Sequence, residues 1–273
     1  MLQLHYLEDL DLPELEPYRT LRRRKDMARM ERFVAEGDKV VQRLLHSRFA
    51  YTIESLLITP EWLLRLRPEL ECRPEEIRAF ITDPKSIEEI SGFTVYHGVK
   101  LTARLGTRHT LEDVMERTPS PRLFVACDGL ANAENMGAII RNTAAFGGHA
   151  ILIGETSSSP YLTRAIRASM GTVFDLPTVC SDCLVDTLKD LKWRGVRVIG
   201  AHAHAKQGSL AAADLSGDLC MVFGSEGHGL SDAVAEVCDE LIIIPMAGEV
   251  DSLNVGSAAA VFLYEAARQR GGM

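Results

Sequence analysis

Apolar positions along the chain fall into two rhythms. From Leu123 onward, short continuous apolar runs ("LFVAC", "HAILIG", "LPTVC", "VRVIGAHA", "LCMVFG", "LIIIP") alternate with stretches of helical spacing ("MGAIIRNTAAFG", "PYLTRAIRASMG", "CLVDTLKDLKWRG", a short one after "LSDA", and the last run to Arg270). Near-continuous apolar strands separated by helices predict an α/β fold with a mostly parallel sheet covered on both faces. Upstream, "MERFVAEGDKVVQRLLHS" places Phe33, Val34, Val40, Val41, Leu44 and Leu45 at helical spacing around a glycine. "TIESLLITP" then reads as a strand, "RPEEIRAFIT" as a helix and "FTVYHGVKLTARL" as one or two strands. Thr118-Pro119-Ser120-Pro121 cannot continue a helix, and an apolar strand follows at once. This places a domain boundary there: a helical, charged leader and small α/β domain over 1–117, and the alternating domain over 118–273.

With 273 residues, 46% apolar and 25% charged, the composition is that of a soluble globular protein rather than a disordered one. The net charge of -8 argues against non-specific coating of nucleic acid but leaves room for a local basic patch. Arg22, Arg23, Arg24 and Lys25, extended by Arg29 and Arg32, form such a patch, either a solvated helix face or a phosphate-contacting strip. No apolar run approaches the roughly 18 residues of a membrane span, and the first residues are acidic where a signal peptide is basic and then apolar. A cytoplasmic location without membrane contact is expected. Most of the six cysteines sit in apolar runs, which predicts reduced thiols. Cys180 and Cys183 with His202 and His204 lack the second tight pair of a closed zinc site, so no metal is expected.

Ligands of parallel sheets bind beyond the carboxyl ends of the strands, and three strand ends carry polar residues that packing alone does not require. In "DGLANAENMGAIIRN", Asn135 and Gly137 open a helix and Arg141 follows among Ile139, Ile140 and Ala144, a setting that calls for an anionic partner such as phosphate. Asn135 is equally readable as an N-cap. In "FGSEGHGL", Gly224, Gly227 and Gly229 surround Glu226, more glycine than a turn needs. Their spacing is not the dinucleotide fingerprint, and no Walker lysine is present. In "IIIPMAGEVDSLNVGSAAA", Pro245 ends a strand, and Ser252 and Asn254 flank Leu253 where the last helix begins. That loop can present backbone to an adenine edge while Ile244 and Leu253 grip its faces, and either polar side chain can also cap the helix.

These three motifs, in this order and at these separations, resemble the SpoU branch of the SPOUT RNA methyltransferases over about 150 residues from Leu123. The upstream region resembles, more loosely, the ribosomal-protein-like RNA-binding domain many members carry. Tyr96-His97-Gly98 stands where relatives have a Pro-Gln-Gly turn, and the leader to Lys25 has no counterpart. The resemblance implies a deep trefoil knot at the C-terminus, S-adenosylmethionine as methyl donor, a structured tRNA or rRNA as substrate, and a homodimer in which Arg141 reaches the partner's donor. The cofactor loops it implies are Ala201 to His202, Gly224 to Gly229 (with Glu226), and Ile244 to Leu253. It implies a catalytic set of Arg141, Asn135, Glu226, Ser252 and Asn254.

The resemblance implies that the arginine removes the ribose proton. A guanidine, however, needs roughly 7.5 to 9 kcal/mol to become neutral at pH 7. A charged clamp on the neighbouring phosphate that stabilises the developing alkoxide is the better expectation for Arg141, with the phosphate or a water taking the proton. Asn135, Glu226, Ser252 and Asn254 would complete the array. Two other classes stay open at this level: a knotted RNA-binding module without transferase activity, and an NAD-binding oxidoreductase on an ordinary doubly wound sheet.

Overall fold

The computed structural model describes residues 1–20, 31–49, 51–92, 98–106, 108–203, 208–247 and 250–271. They form two compact units. The first comprises Met1–Thr107 together with Tyr161–Asp175, and the second comprises Arg108–Pro160 and Leu176–Met273. The basic strip Arg22, Arg23, Arg24, Lys25 and Arg29 lies outside the described residues.

The first unit is built on a five-stranded sheet of β1 (Leu2–Tyr6), β2 (Arg32–Glu36), β3 (Thr52–Ile58), β4 (Ile77–Ile81) and β5 (Val99–Arg104), in the order β1-β4-β3-β5-β2. β4 runs parallel to β1 and β3, and β5 is antiparallel to β3 and β2. Its helices are α1 (Glu16–Thr20), α2 (Asp38–Leu45), α3 (Pro60–Glu71) and α4 (Pro84–Ser91). α3 starts where its sequence says it should. Thr59 accepts from the Trp62 N–H, Pro60 needs no donor in the first turn, and Leu63, Leu66 and Leu70 form the buried stripe.

Three upstream expectations are corrected here. Phe33 and Val34 belong to β2, not to a helix, and only the part after Gly37 becomes α2. "RPEEIRAFIT" yields β4, because a strand paired on both sides outweighs the local propensity of its charged lead-in. The leader is not simply helical either, since β1 extends the sheet.

The second unit holds a six-stranded, wholly parallel sheet of β6 (Leu123–Cys127), β7 (Ala150–Ile153), β8 (Thr178–Cys180), β9 (Arg197–Ala201), β10 (Leu219–Phe223) and β11 (Glu240–Ile242), in the order β11-β9-β10-β6-β7-β8. Every residue of β6 and β10 is buried, as their unbroken apolar runs require. Cys127 and Cys220 sit inside these strands. Burial, aided by the nearby Asp128 and Glu226 charges, pushes the Cys127 thiol up to about 12, and all six cysteines are free. The helices are α5 (Leu111–Arg117), α6 (Ala133–Ala145), α8 (Leu184–Trp193), α9 (Asp232–Val237) and α10 (Val255–Gln269), while α7 (Thr163–Ala168) belongs to the first unit.

The boundary therefore differs from the one read at the Thr118–Pro121 turn. α5 carries a capping box of Thr110 and Asp113, and its Val114 and Met115 pack into the core of the second unit. The prolines mark a turn inside that unit. The β7–β8 crossover leaves it again: Tyr161–Asp175 packs with the first unit, where Phe174 stacks on Phe33 with ring centroids 5.3 Å apart.

Strand order reverses between β6 and β10, the two central strands. A cavity opens beyond the carboxyl ends of β9, β10 and β11, on the side of an open parallel sheet where ligands usually bind.

Candidate active site

Asn132, not Asn135, caps α6: its Oδ1 accepts from the N–H groups of Glu134 (2.7 Å) and Asn135 (3.2 Å). Relieved of the capping role, the Asn135 amide turns outward and donates through Nδ2 to Glu226 Oε1 at 2.9 Å, while the Asn132 N–H donates to the same oxygen at 3.2 Å. Asn254 caps α10 through Oδ1, which accepts from the Gly256 N–H at 2.9 Å, and its Nδ2 donates to Asn135 Oδ1 at 3.0 Å. The order of donors is forced. A backbone N–H fixes which end of the Asn254 amide faces inward, and a carboxylate, which only accepts, fixes the Asn135 amide at the other end. Asn254 is thus both cap and site residue.

Glu226 projects from a loop that glycine makes possible. The Ser225 N–H donates to Gly229 O (2.8 Å) and the Gly229 N–H returns to Ser225 O (3.0 Å), closing a tight turn with Gly229 at φ 71°. Gly224 runs so close beneath it that a Cβ there would lie 2.1 Å from the Gly229 carbonyl carbon. Gly227, by contrast, has open space around it. Two of the three glycines serve the loop itself, and the third leaves room in front of it. Partial burial raises the pKa of Glu226. The bonds from Asn135 and the backbone N–H groups of Glu226, Asn132 and Ala131 outweigh that effect and hold the carboxyl below its ordinary range.

The loop faces a cavity of about 530 Å³, within the range of small-molecule sites. All three segments singled out in the sequence line it: Ala201 at the end of β9 and His202 just after it, Gly224 through Gly229 after β10, and Ile244, Met246, Ser252, Leu253 and Asn254 before α10. The chain between β9 and β10 ties the walls together. His202 N–H donates to Ile242 O, Ile243 N–H to Gly208 O and Leu210 N–H to Ile243 O, at 2.9–3.0 Å. β11 ends at Ile242, before Pro245, so Ile243 and Ile244 belong to the cavity wall rather than to the strand.

Arg141 is not brought to this cluster. Its apolar neighbours in sequence, Ile139 and Ile140, point into the core, while the helical turn carries Arg141 to the exposed face of α6. Its guanidinium makes no hydrogen bond or ion pair among the described residues. Ser252 lines the cavity without such a bond there either. Among the described residues, no three His, Cys, Asp or Glu side chains gather as a metal site requires.

Residues 122–264 match the SpoU rRNA Methylase family. The chain belongs to that family. Among its SpoU relatives, an uncharacterized tRNA/rRNA methyltransferase of Mycobacterium ulcerans is 45% identical over 152 residues, 55% of this chain and 48% of the relative. The chain thus spans about half the length of that protein. The 23S rRNA (guanosine-2'-O-)-methyltransferase RlmB of Ralstonia nicotianae is 35% identical over 195 residues, 71% of this chain and 78% of the relative. In fold, the SpoU methyltransferase AviRb of Streptomyces viridochromogenes, solved in complex with AdoMet, superposes with a TM-score of 0.83 over 96% of this chain and 100% of its own, at 24% identity.

Sequence reasoning missed two parts of this SpoU site. Asn132 was legible as a cap from "ANAEN", an asparagine just ahead of the helical run. Phe262, which closes the cavity floor against Phe223 with rings 5.7 Å apart and edge-on, lies two turns into α10 and reads as ordinary core.

Proposed function

We propose that this chain binds S-adenosylmethionine in the cavity and transfers its methyl group to a ribose 2'-hydroxyl of rRNA or tRNA. The observation that carries this reading is the convergence of three separate chain segments on one cavity, with Glu226, Asn135 and Asn254 joined in a single hydrogen-bonded chain at its rim. The residues fit the cofactor. Ile242, Ile244, Leu253 and Phe262 supply apolar walls for a purine, the backbone of three loops supplies polar edges, and Gly227 leaves space where a side chain would intrude. When bound, S-adenosylmethionine supplies an electrophilic methyl group on a sulfonium.

The chain's own residues orient and stabilise. Ala201, His202, Gly224, Gly229, Ile244 and Leu253 hold the cofactor. Asn135 and Asn254 fix the Glu226 carboxylate, whose charge complements a cation nearby, and Ser252 adds a hydroxyl to the same rim. The Arg141 guanidinium, exposed on α6, clamps the RNA phosphate and stabilises the oxyanion of the attacking ribose. Because no group within one chain engages Arg141 among the described residues, a homodimer that sets it against the partner's cavity completes the site. Exposed Val250, Leu253, Val261 and Tyr264 offer an apolar face for that pairing.

The reading includes the C-terminal knot, with the segment after β11 threaded through the β9–β10 connection. Gln269 supports it by donating to Ala213 O while accepting from the Leu215 N–H, so that this connection grips the end of α10. It also includes RNA contact by the small N-terminal domain, with Arg22, Arg23, Arg24, Lys25 and Arg29 on phosphates, and a cytoplasmic location, where rRNA and tRNA are found. No helix among the described residues is long and apolar enough to cross a membrane.

Calorimetric titration of the full chain with S-adenosylmethionine, with NAD as the control, tests the cofactor. Incubation with in-vitro-transcribed 23S rRNA and tRNA followed by mapping of 2'-O-methyl marks tests the reaction. Binding of NAD in place of S-adenosylmethionine, or methyl marks on bases only, refutes it.

A further inference from the structure

An exposed guanidinium presents five N–H donors, which are met by protein groups, by water or by an anionic ligand. In this chain Arg141, Arg164 and Arg167 are the described arginines whose guanidinium groups make no hydrogen bond, ion pair or ring contact among the described residues, whereas the guanidinium of every other described arginine has such a partner. The first is already placed in the reaction. The other two are exposed, three residues apart on α7, and therefore neighbours on one helix face. Like charges at that spacing weaken a helix, and α7 is only six residues long, so folding gains nothing from the pair.

The segment that carries them is rigidly mounted within the first unit. Ala165 and Ile166, on the opposite face of α7, are completely buried. Tyr161 and Phe174, at the two ends of the crossover, both pack on Phe33, with centroids 5.7 and 5.3 Å away. Arg43 donates to Met170 O at 3.2 Å and pairs with Asp175 at 3.1 Å, and Arg48 donates to Asp175 O at 2.8 Å. Asp175, the acidic residue of this stretch, is thereby occupied by Arg43, which leaves the Arg164 and Arg167 charges uncompensated.

We propose that Arg164 and Arg167 form a binding site for the phosphate backbone of the RNA substrate, carried by the β7–β8 crossover and distinct from the cofactor cavity. This rests on the reading of the chain as an RNA methyltransferase. Two planar forks on one rigid face suit the bidentate recognition of phosphate oxygens. The face is a local cationic patch on a chain of net charge -8, the arrangement that selects a polyanion at one place instead of coating it.

The test is the salt dependence of binding to in-vitro-transcribed 23S rRNA by wild-type protein, R164Q/R167Q and R164K/R167K, with S-adenosylmethionine affinity and thermal melting measured alongside. Loss of two phosphate contacts makes the slope of log K against log salt shallower by about 1.4 to 1.8. The double Gln variant is expected to show that change with unaltered cofactor affinity and melting, and the double Lys variant to keep most of the wild-type slope. A double Gln variant with the wild-type slope, in a protein whose wild type methylates RNA, overturns the phosphate site alone. A wild type that binds no RNA overturns the functional reading and this site with it.

Discussion

Replacing Gly224 with alanine adds one methyl group and should cost more than its size suggests. The new Cβ would lie 2.1 Å from the Gly229 carbonyl carbon, 2.2 Å from its oxygen and 2.3 Å from the Leu230 nitrogen, all backbone atoms that cannot rotate aside. Ordinary contact begins at 3.4 Å, so the turn must retreat by 3.4 minus 2.1, about 1.3 Å, because Phe223 on the other side is held by its pairing with Cys127 of β6 and by the Asp128 N–H on its carbonyl. A shift of that size breaks the two Ser225–Gly229 bonds. At about 0.5–1.5 kcal/mol each, the loss is about 1–3 kcal/mol, or very roughly 2–12 °C of melting temperature for a domain of this size. It also moves Glu226 away from Asn135. G227A is the control, since nothing stands within 4 Å of its Cβ. Differential scanning calorimetry and S-adenosylmethionine titration should find G224A impaired in both respects and G227A melting like wild type, with weakened binding only. If G224A melts within 1 °C of wild type, or if G227A is equally destabilised, the account of this loop is wrong.

Asn254 allows its two roles to be separated. N254D keeps an oxygen for the cap, worth about 0.5–2 kcal/mol, but has no N–H for Asn135, so melting should hold while methyl transfer falls; N254A should lose both. Glu226 sets a pH limit. Its folded pKa lies below the ordinary 4.5, so its ionised bonds to Asn135 and Asn132 are complete above that value and are lost as pH falls through the folded one. Cofactor affinity should stay flat from neutral pH down to about 5 and weaken below 4.5 in wild type, whereas E226Q should be weaker throughout and lack that step. Arg141→Lys separates clamp from base: kcat should drop by about 100-fold or more and stay low at high pH, whereas recovery as pH rises would mean that proton removal is the residue's task.

The second unit was legible because its strands are buried on both faces, so their apolar runs name them without reference to partners. The same simplicity failed upstream. β4 is a strand because it pairs on both sides, and "RPEEIRAFIT" says nothing of β1 or β3. The site residues were readable at strand ends, where Asn135, Glu226 and Asn254 have no packing reason to be polar. Their roles were less so: Asn135 was freed for Glu226 by a better cap three residues earlier, and that competition between Asn132 and Asn135 is settled only by the first turn of α6. Arg141 shows the opposite limit, since its sequence neighbours are its opposites in space.

The excursion of Tyr161–Asp175 has a consequence for anyone who would cut or recombine this protein. A severed N-terminal piece ending at Thr107 would lack the stretch that covers Phe33 and Tyr51, and the remainder would expose Ile166, Val173 and Phe174, each wholly shielded in the intact chain. The chain passes from one unit to the other at three points in the sequence, so a graft that swaps either half at a single joint should produce sticky, misfolded pieces.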